Sequence, residues 1–386
     1  MRLLLLSTEF PPGPGGIGTH AYHLALNLQH LGWEVTVMAS QDYAHEDEIH
    51  AFNRAQPFKV IHLLSTPGAM RRLWARYRTI SRKINDWQPD VIMGSGSRQV
   101  WMAAFLAKYH RKASVAIGHG SEFGFTNYWM RRITQWAFES VDAVICVSQY
   151  TANFMYEAGI NPRRLMVIPN GADANLFKRL PPTDLEGFRR EKNIPEGLLL
   201  LTVGNVTERK GQDVVIRAMP HVLKQVPNTH YLIAGLPSQK ENFLALACEL
   251  GVEEHIHFLG RVSSEDLLKY INVCDIFVMT SKYTAEGDFE GYGIAVVEAA
   301  LCGKPAVVSD NSGLAEAIVD QQTGLLAHQN DPISTAEALI TLLQDDMKRR
   351  EIGESAYKRA YTKQTWEQRS MEYHHFLNEF VSTSLS

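Results

Sequence analysis

Glu290 and Glu298 stand eight residues apart in the stretch FEGYGIAVVEAALCGKP. Asp288-Phe289-Glu290-Gly291-Tyr292-Gly293 reads as a glycine-rich loop, and Ile294–Cys302 as a helix of small apolar residues stopped by Gly303-Lys304-Pro305. Glu290 then precedes the helix and Glu298 lies more than a turn inside it. Eight residues of helix rise about 12 Å and leave the two carboxylates within about 80° of each other around the axis. That spacing suits one elongated polar ligand held at both ends. Backbone N–H groups and a helix N-terminus lie between the grips and attract anions. A sugar hydroxyl, a diphosphate and a ribose fit in that order. A solvated loop and the polar face of a helix are the plainer reading of two such glutamates. The apolar neighbours Ala295, Val296, Val297, Ala299, Ala300 and Leu301 argue against it, since an ionised side chain in such a run is costly unless partnered.

Three further segments could handle phosphate or sugar. Gly204-Asn205-Val206-Thr207-Glu208-Arg209-Lys210-Gly211 follows an apolar strand-like run, and Arg209 and Lys210 open the helix after it. Arginine offers a planar fork to a diphosphate and lysine a point charge. Pro11–Gly18 follows the first strand and matches G-x-G-x-x-G at Gly13, Gly15 and Gly18. Its prolines make a stiffer loop than a dinucleotide turn, and the second strand ends in Ala39-Ser40-Gln41 with no acid for a ribose. Gly15 and Gly16 therefore read as bare backbone that a phosphate or reacting sugar can approach, with a simple turn as the alternative. His119, between two glycines in Ile117-Gly118-His119-Gly120-Ser121-Glu122, follows another strand and can donate a hydrogen bond; Glu122 is a weaker candidate. No H-E-x-x-H, G-x-S-x-G or Walker lysine is present, and Asp345-Asp346 reads as solvated, so no metal and no cofactor are expected.

These segments need rigid elements behind them. The strands are expected at Arg2–Ser7, Glu34–Ala39, Lys59–Leu63, Val91–Met93, Ser114–Ile117, Ala143–Val147 and Leu165–Ile168, then at Leu198–Val203, Thr229–Ala234, His255–Leu259, Ile276–Met279 and Ala306–Ser309. Helical patterns fall between them, among them Gly18–Leu31, Arg98–Tyr109, Trp129–Ser140, Asp213–Gln225, Lys240–Leu250 and Ser264–Ile271. Such alternation predicts parallel sheets flanked by helices. At 386 residues the chain is too long for one ordinary core, and the polar, proline-punctuated stretch 179–197 is the expected linker. Domains 1–178 and 198–364 would each be doubly wound, and ligands bind at the strand carboxyl ends of such sheets.

The composition is that of a globular protein, without a signal-peptide core or a run of membrane-spanning length. Cys146, Cys248, Cys274 and Cys302 lie in apolar segments without metal or redox spacing, so buried thiols in a reducing, cytoplasmic setting are expected. Net charge is −4, yet residues 1–178 hold 18 Lys and Arg against 13 Asp and Glu, a balance of +5. Met70–Lys83 and Tyr128–Arg132 are both basic and aromatic, as an interfacial helix would be. A solvated charged helix is the plainer reading of that pattern. Nucleic acid is a poor fit, since the basic stretches are short.

Taken together, the motifs resemble those of a retaining GT-B glycosyltransferase of family four (group 1), which includes sucrose-phosphate synthases and bacterial phosphatidylinositol mannosyltransferases. The resemblance spans essentially the whole chain. It rests on the Pro-Gly-Gly-Ile loop at 14–17, His119-Gly120-x-Glu122, Val147-Ser148-Gln149-Tyr150-Thr151, Pro169-Asn170-Gly171-Ala172-Asp173, Glu208-Arg209-Lys210-Gly211, Gly260-Arg261-Val262 and the E-x7-E pair. It implies an α/β GT-B fold, two doubly wound Rossmann-like domains facing a central cleft, with the first taking the acceptor and the second the donor. It also implies a GDP- or UDP-linked sugar donor and a glycan or lipid-linked acceptor, and a cytoplasmic enzyme with peripheral contact to an anionic membrane.

By that resemblance Glu298 binds the ribose, and Glu290 the donor sugar. The amides near Tyr292, Gly293 and Ile294 hold sugar and phosphate. Arg209 and Lys210, beside Gly204, neutralise the diphosphate; Arg261 and Val262 lie near the base. Gly15 and Gly16 close on the donor, His119 sits beside the sugar, and a C-terminal helix near Trp366, residues 365–386, crosses back to the first domain. The family commonly has Gly-Arg where this chain has Gly204-Asn205, so one phosphate-facing cation is missing. The implied chemistry is loosening of the C1–phosphate bond, with charge on the leaving diphosphate stabilised by cations and helix dipoles. A sugar-nucleotide epimerase on the same fold and a dinucleotide oxidoreductase using Gly13, Gly15 and Gly18 are the alternatives. A two-lobed binding protein is disfavoured.

Overall fold

The apolar runs assemble into two parallel sheets in the computed structural model, which describes residues 1–13, 15–42, 44–63, 68–285 and 287–384. Pro14 of the glycine loop lies outside the described residues. The first sheet holds β1 (Arg2–Ser7), β2 (Glu34–Ala39), β3 (Lys59–His62), β4 (Val91–Ser95), β5 (Ala113–Gly118), β6 (Ala143–Cys146) and β7 (Leu165–Val167), in the order β3-β2-β1-β4-β5-β6-β7. The second holds β8 (Leu198–Val203), β9 (Thr229–Ala234), β10 (Ile256–Gly260), β11 (Ile276–Met279), β12 (Ala306–Ser309) and β13 (Gly324–Ala327), in the order β10-β9-β8-β11-β12-β13. Leu3, Leu4, Leu5 and Leu6 are all fully buried, as befits a central parallel strand covered by helices on both faces. Strand order reverses beside β1 in one sheet and beside β8 in the other. At such switch points the loops at the strand carboxyl ends diverge and leave room for a ligand.

The chain divides into two compact units, Met1–Asn170 with Trp366–Ser386, and Gly171–Thr365. In the first, helix Trp366–Ser384 packs on helix Gly16–His30, where the buried Tyr373 hydroxyl lies 3.0 Å from His20 Nε2. The division falls at Asn170/Gly171, not in the expected linker 179–197. That stretch carries a helix, Pro182–Glu191, started by a proline and anchored by buried Leu185 and Phe188. Phe188 packs edge-on against Tyr270, 4.9 Å between ring centres, so the stretch is part of the second unit's body. Strand β13 and helix Glu46–Arg54 were not expected either. Arg209 and Lys210 do not open a helix; they lie in the short turn Glu208–Lys210 that precedes helix Gln212–Gln225. Cys248 is exposed, against expectation, while Cys146, Cys274 and Cys302 are buried and free. Its helix, Lys240–Glu249, turns Phe243, Leu246 and Ala247 inward and leaves Cys248 on the outer face. Asp345 and Asp346 are engaged at the head of helix Asp346–Lys363: Asp345 caps Lys348 N–H, and Asp346 pairs with Arg349 and Arg350.

Candidate functional site

The second unit places its charged candidates at the β8/β11 switch point. After β8 the chain passes Gly204 and reaches the turn Glu208–Lys210, which is held against the end of β11. Thr280 donates its hydroxyl to the Gly211 carbonyl (2.7 Å), and Lys282 N–H donates to the Arg209 carbonyl (2.9 Å). The Lys282 ammonium pairs with Asp213 at 2.8 Å. The turn is therefore fixed by backbone contacts, and its two cations extend towards the glycine-rich loop.

There they converge on a single oxygen. Arg209 Nη1 lies 2.5 Å and Lys210 Nζ 2.6 Å from Oε2 of Glu290, and Arg209 Nε pairs with Asp288 at 3.0 Å. Burial alone would raise the Glu290 carboxyl, but Lys210 and Arg209, by charge and hydrogen bond, hold it at about 2. Burial lowers Lys210 in spite of Glu290, while Glu290 raises Arg209. The Glu290 side chain is 14% exposed and Asp288 48%, so Asp288 is the looser partner. The result is a compact, ordered cluster of two cations and two carboxylates.

Glu298 differs in every respect. It is half-buried in helix Ile294–Leu301 and has no hydrogen-bond or ion-pair partner among the described residues. Burial, then the charge of Asp173, pushes its carboxyl up to about 7. Between the two glutamates the chain turns at Gly293, whose φ of 86° lies in the left-handed region; a side chain there would also run into Leu314. Neither Tyr292 nor Gly293 gives its backbone N–H to a protein acceptor among the described residues, and Ile294 begins the helix, where N–H groups lack intrahelical partners. The Tyr292 side chain is engaged within the protein. It is buried, and its hydroxyl accepts a hydrogen bond from Gln364 at 3.0 Å. Its ring is engaged, and its amide has no acceptor among the described residues.

Asn205, where a cation was missed, is exposed and accepts a hydrogen bond from Leu236 N–H at 3.3 Å. It ties its own loop to the one after β9. Gly260 accepts from Gly235 N–H at 2.9 Å, which brings the start of the Arg261 loop beside the same strand ends. Arg261 is exposed and Val262 half-buried.

In the first unit Gly15 caps helix Gly16–His30, and its carbonyl accepts from Thr19 N–H and Oγ1. A side chain at Gly15 would overlap the Glu9 carboxylate, whereas one at Gly16 would meet nothing within 4 Å. Gly16 therefore presents open backbone. His119 follows β5, and its Nε2 lies 2.9 Å from Ser95 Oγ at the end of β4. Burial lowers His119 to about 3, so the ring is neutral. Glu122 folds back beneath it, one oxygen accepting from the His119 and Gly120 N–H groups at 3.1 and 2.8 Å. Its other oxygen is buried without a partner, and burial raises the carboxyl to about 7. His20, fully buried, stands edge-on to His119 with 5.1 Å between ring centres.

Sequence reasoning missed Ser95, His20 and Glu9, and assigned no part to Asp288 or to Asp173 of the Pro169–Asp173 motif. The small Gly94-Ser95-Gly96 run at a strand end was a legible signal for Ser95; the others become neighbours only through packing.

Comparison with known proteins gives this geometry a family. Residues 186–359 match the model for glycosyl transferases group 1, and residues 14–176 that for Glycosyltransferase Family 4. The D-inositol 3-phosphate glycosyltransferase of Corynebacterium aurimucosum is 30% identical over 396 residues, covering 93% of this chain and 92% of its own. The chain belongs to the group 1 glycosyltransferases. A GDP-mannose-dependent monoacylated alpha-(1-6)-phosphatidylinositol monomannoside mannosyltransferase of Corynebacterium glutamicum is 27% identical over 374 residues, 95% of each chain. The fold is shared with the HepE protein of Anabaena in its complex with UDP-glucose, at a TM-score of 0.83, 20% identity and coverage of 98% of this chain and 100% of that one. The sucrose-phosphate synthase of Thermosynechococcus elongatus matches at a TM-score of 0.80 and 18% identity over 99% of both chains. The two sheets of this glycosyltransferase are those of the GT-B fold.

Proposed function

We propose that this glycosyltransferase moves a hexose from a nucleoside diphosphate sugar to a hydroxyl of a glycan or lipid-linked acceptor, with retention at the anomeric carbon and without a metal. GDP-mannose is the donor of first choice and a UDP-hexose the alternative. The setting would be cell-envelope or exopolysaccharide synthesis. The observation that carries the reading is the convergence of Arg209 and Lys210 on Glu290, one turn of chain before a helix N-terminus with free amides. The mannosyltransferase of C. glutamicum supports GDP-mannose, and the HepE complex keeps UDP-glucose in play.

In this reading the diphosphate competes with Asp288 and Glu290 for the two cations. As the C1–oxygen bond loosens, negative charge grows on the leaving phosphate. Arg209 and Lys210, already ordered, stabilise that charge without rearranging. Glu290, freed from part of its pairing, accepts from a sugar hydroxyl. Glu298, unpartnered in the protein, accepts from the ribose, and the Tyr292, Gly293 and Ile294 amides hold sugar and phosphate. Arg261 and Val262 border the base, with Gly204 and Asn205 beside the diphosphate. In the first unit, taken by itself, the neutral ring of His119 can give one hydrogen bond to a sugar hydroxyl, and Gly15 and Gly16 offer bare backbone. The leaving phosphate takes the acceptor's proton, and the new bond forms on the same face.

The test is a thermal-shift series with GDP, UDP, GDP-mannose and UDP-glucose, repeated with EDTA. A ligand at 100 times its Kd adds about 2.7 kcal/mol of native-state stability, a readable shift. Stabilisation by one nucleotide family, unchanged by EDTA, supports the proposal and names the base. Silence with all four would refute it. NMR of the transferred sugar then reads retention or inversion directly.

A further inference from the structure

Ser95 and His119 stand at the carboxyl ends of neighbouring strands. β4 ends at Ser95, which pairs in register with Ile117 of β5, and His119 follows Gly118, the last residue of β5. Ser95 is fully buried, and its carbonyl accepts from Thr8 N–H at 3.0 Å, which ties its backbone to the end of β1. Its hydroxyl lies 2.9 Å from His119 Nε2. The imidazole is confined on other sides as well. Glu122 takes the His119 backbone N–H at 3.1 Å, and the His20 ring stands edge-on to it at 84°. His20 is itself held, its Nε2 lying 3.0 Å from the Tyr373 hydroxyl. The His119 ring is therefore fixed by the protein alone.

A serine hydroxyl can donate or accept, and the two choices give His119 opposite outward faces. A buried hydroxyl proton needs an acceptor. Among the described residues Ser95 Oγ has His119 Nε2 as its one hydrogen-bond partner, so the hydroxyl proton is directed at that nitrogen. A neutral imidazole that accepts at Nε2 carries its own proton on Nδ1. Burial keeps the ring neutral, having lowered it to about 3. Nδ1 of His119 has no protein partner among the described residues. Unlike Nδ1 of His20, it is not a buried unsatisfied atom, so it lies where a ligand can reach it. His119 thus presents one N–H outward, and Ser95 decides which nitrogen carries it. An N–H at that point can give to a sugar oxygen whose own proton is used elsewhere; a lone pair there cannot.

We infer that Ser95 is a positioning residue for the donor sugar: its hydroxyl occupies His119 Nε2 and so makes Nδ1–H the group offered to a sugar oxygen. The inference rests on the proposed place of His119 beside the sugar. The experiment has two arms, both on the full chain. In the first, isotope-labelled histidine is followed by nitrogen NMR at neutral pH, with the His119 signals assigned by their loss in His119→Ala. The wild type should show a protonated Nδ1 and an accepting Nε2, Ser95→Ala should lose that pattern, and Ser95→Thr, which keeps the hydroxyl, should retain it. In the second, GDP, UDP, GDP-mannose and UDP-glucose are titrated by calorimetry. Ser95→Ala should weaken binding of the sugar nucleotide by about fivefold and leave that of the nucleoside diphosphate unchanged, since the latter carries no sugar. A merely structural loss would weaken both alike. A wild-type ring protonated at Nε2, or a Ser95→Ala ring still protonated at Nδ1 alone, would overturn the inference. So would undiminished sugar-nucleotide binding by Ser95→Ala when His119→Ala binds it weakly, and the place of His119 would then stand. Undiminished binding by His119→Ala would instead refute that place, and the role of Ser95 would fall with it.

Discussion

Lys210 and Glu290, eighty positions apart in the chain, meet with 2.6 Å between Nζ and Oε2. Arg209 shares that oxygen, so Glu290 is the common counter-charge of two largely buried cations. Glu290→Gln removes the charge and leaves Arg209 and Lys210 to repel each other. Breaking a pair of this kind costs about 3 kcal/mol. The variant should melt several degrees below wild type. Saturating nucleoside diphosphate should recover much of the difference, because its phosphates replace the lost carboxylate. A variant that melts with wild type would show the cluster to be energetically idle.

Asp288 is the counterpart that a ligand can displace. It pairs with Arg209 Nε at 3.0 Å from a half-exposed side chain, where a salt bridge contributes little to stability. Asp288→Asn should therefore leave the melting temperature almost unchanged. It also frees positive potential for a diphosphate, so nucleoside diphosphate should bind severalfold more tightly in calorimetric titration. Weaker binding would mean that Asp288 itself orients Arg209 for the ligand.

The strands other than β13, and the loops that follow them, were legible in the sequence because parallel strands buried on both faces are written as apolar runs. The run Leu3–Leu6 is the plainest case. The Gly291–Gly293 turn and the helix start at Ile294 were equally plain, since glycine must serve the left-handed position at Gly293. The direction of the Tyr292 ring was not legible. It depends on Gln364, 72 residues away, which claims the hydroxyl. Nor could the sequence show that Asn205 serves Leu236, or that Pro182–Glu191 folds onto Tyr270, because both depend on contacts between distant segments. The basic stripe at 69–87 was visible, but the exposure of Trp74 on it was not, since periodicity alone does not say where the core beneath a helix ends.

Glu122 sets a pH dependence. Its carboxyl is held near 7 in the folded protein against an ordinary 4.5, chiefly by burial. A folded-state value above the unfolded one means that the protonated form is favoured by folding. The protein is then most stable, with respect to this group, below 4.5. It loses that advantage as pH rises through about 7, by roughly 3 kcal/mol in all. Glu298 has the same sign, from burial and the charge of Asp173. Denaturant midpoints should fall from pH 5.5 to pH 8. Glu122→Gln should flatten that slope, since its amide oxygen can still accept from the His119 and Gly120 N–H groups. Glu290, held at about 2, adds no slope in this window, because its pairing is lost only as pH falls through that value. An unchanged slope in the Glu122 variant would place the dependence elsewhere.

Gly15 and Gly16 separate a structural from a functional reason for bare backbone. Gly15 has a φ of 146°, and a Cβ there would overlap the Glu9 carboxylate, so Gly15→Ala should lower both the melting temperature and activity. Gly16 begins the helix at an ordinary φ, and a Cβ there meets nothing within 4 Å, so Gly16→Ala should fold as well as wild type or slightly better. Any loss in that variant must come from something that is not part of the protein. If substrate approaches this backbone, kcat/KM for sugar transfer should fall by about tenfold or more, which corresponds to about 1.4 kcal/mol of transition-state stabilisation. The decisive comparison is the melting curve and kcat/KM of Gly16→Ala together. Unaltered stability with unaltered transfer would leave the Gly15–Gly16 loop a helix start and nothing more.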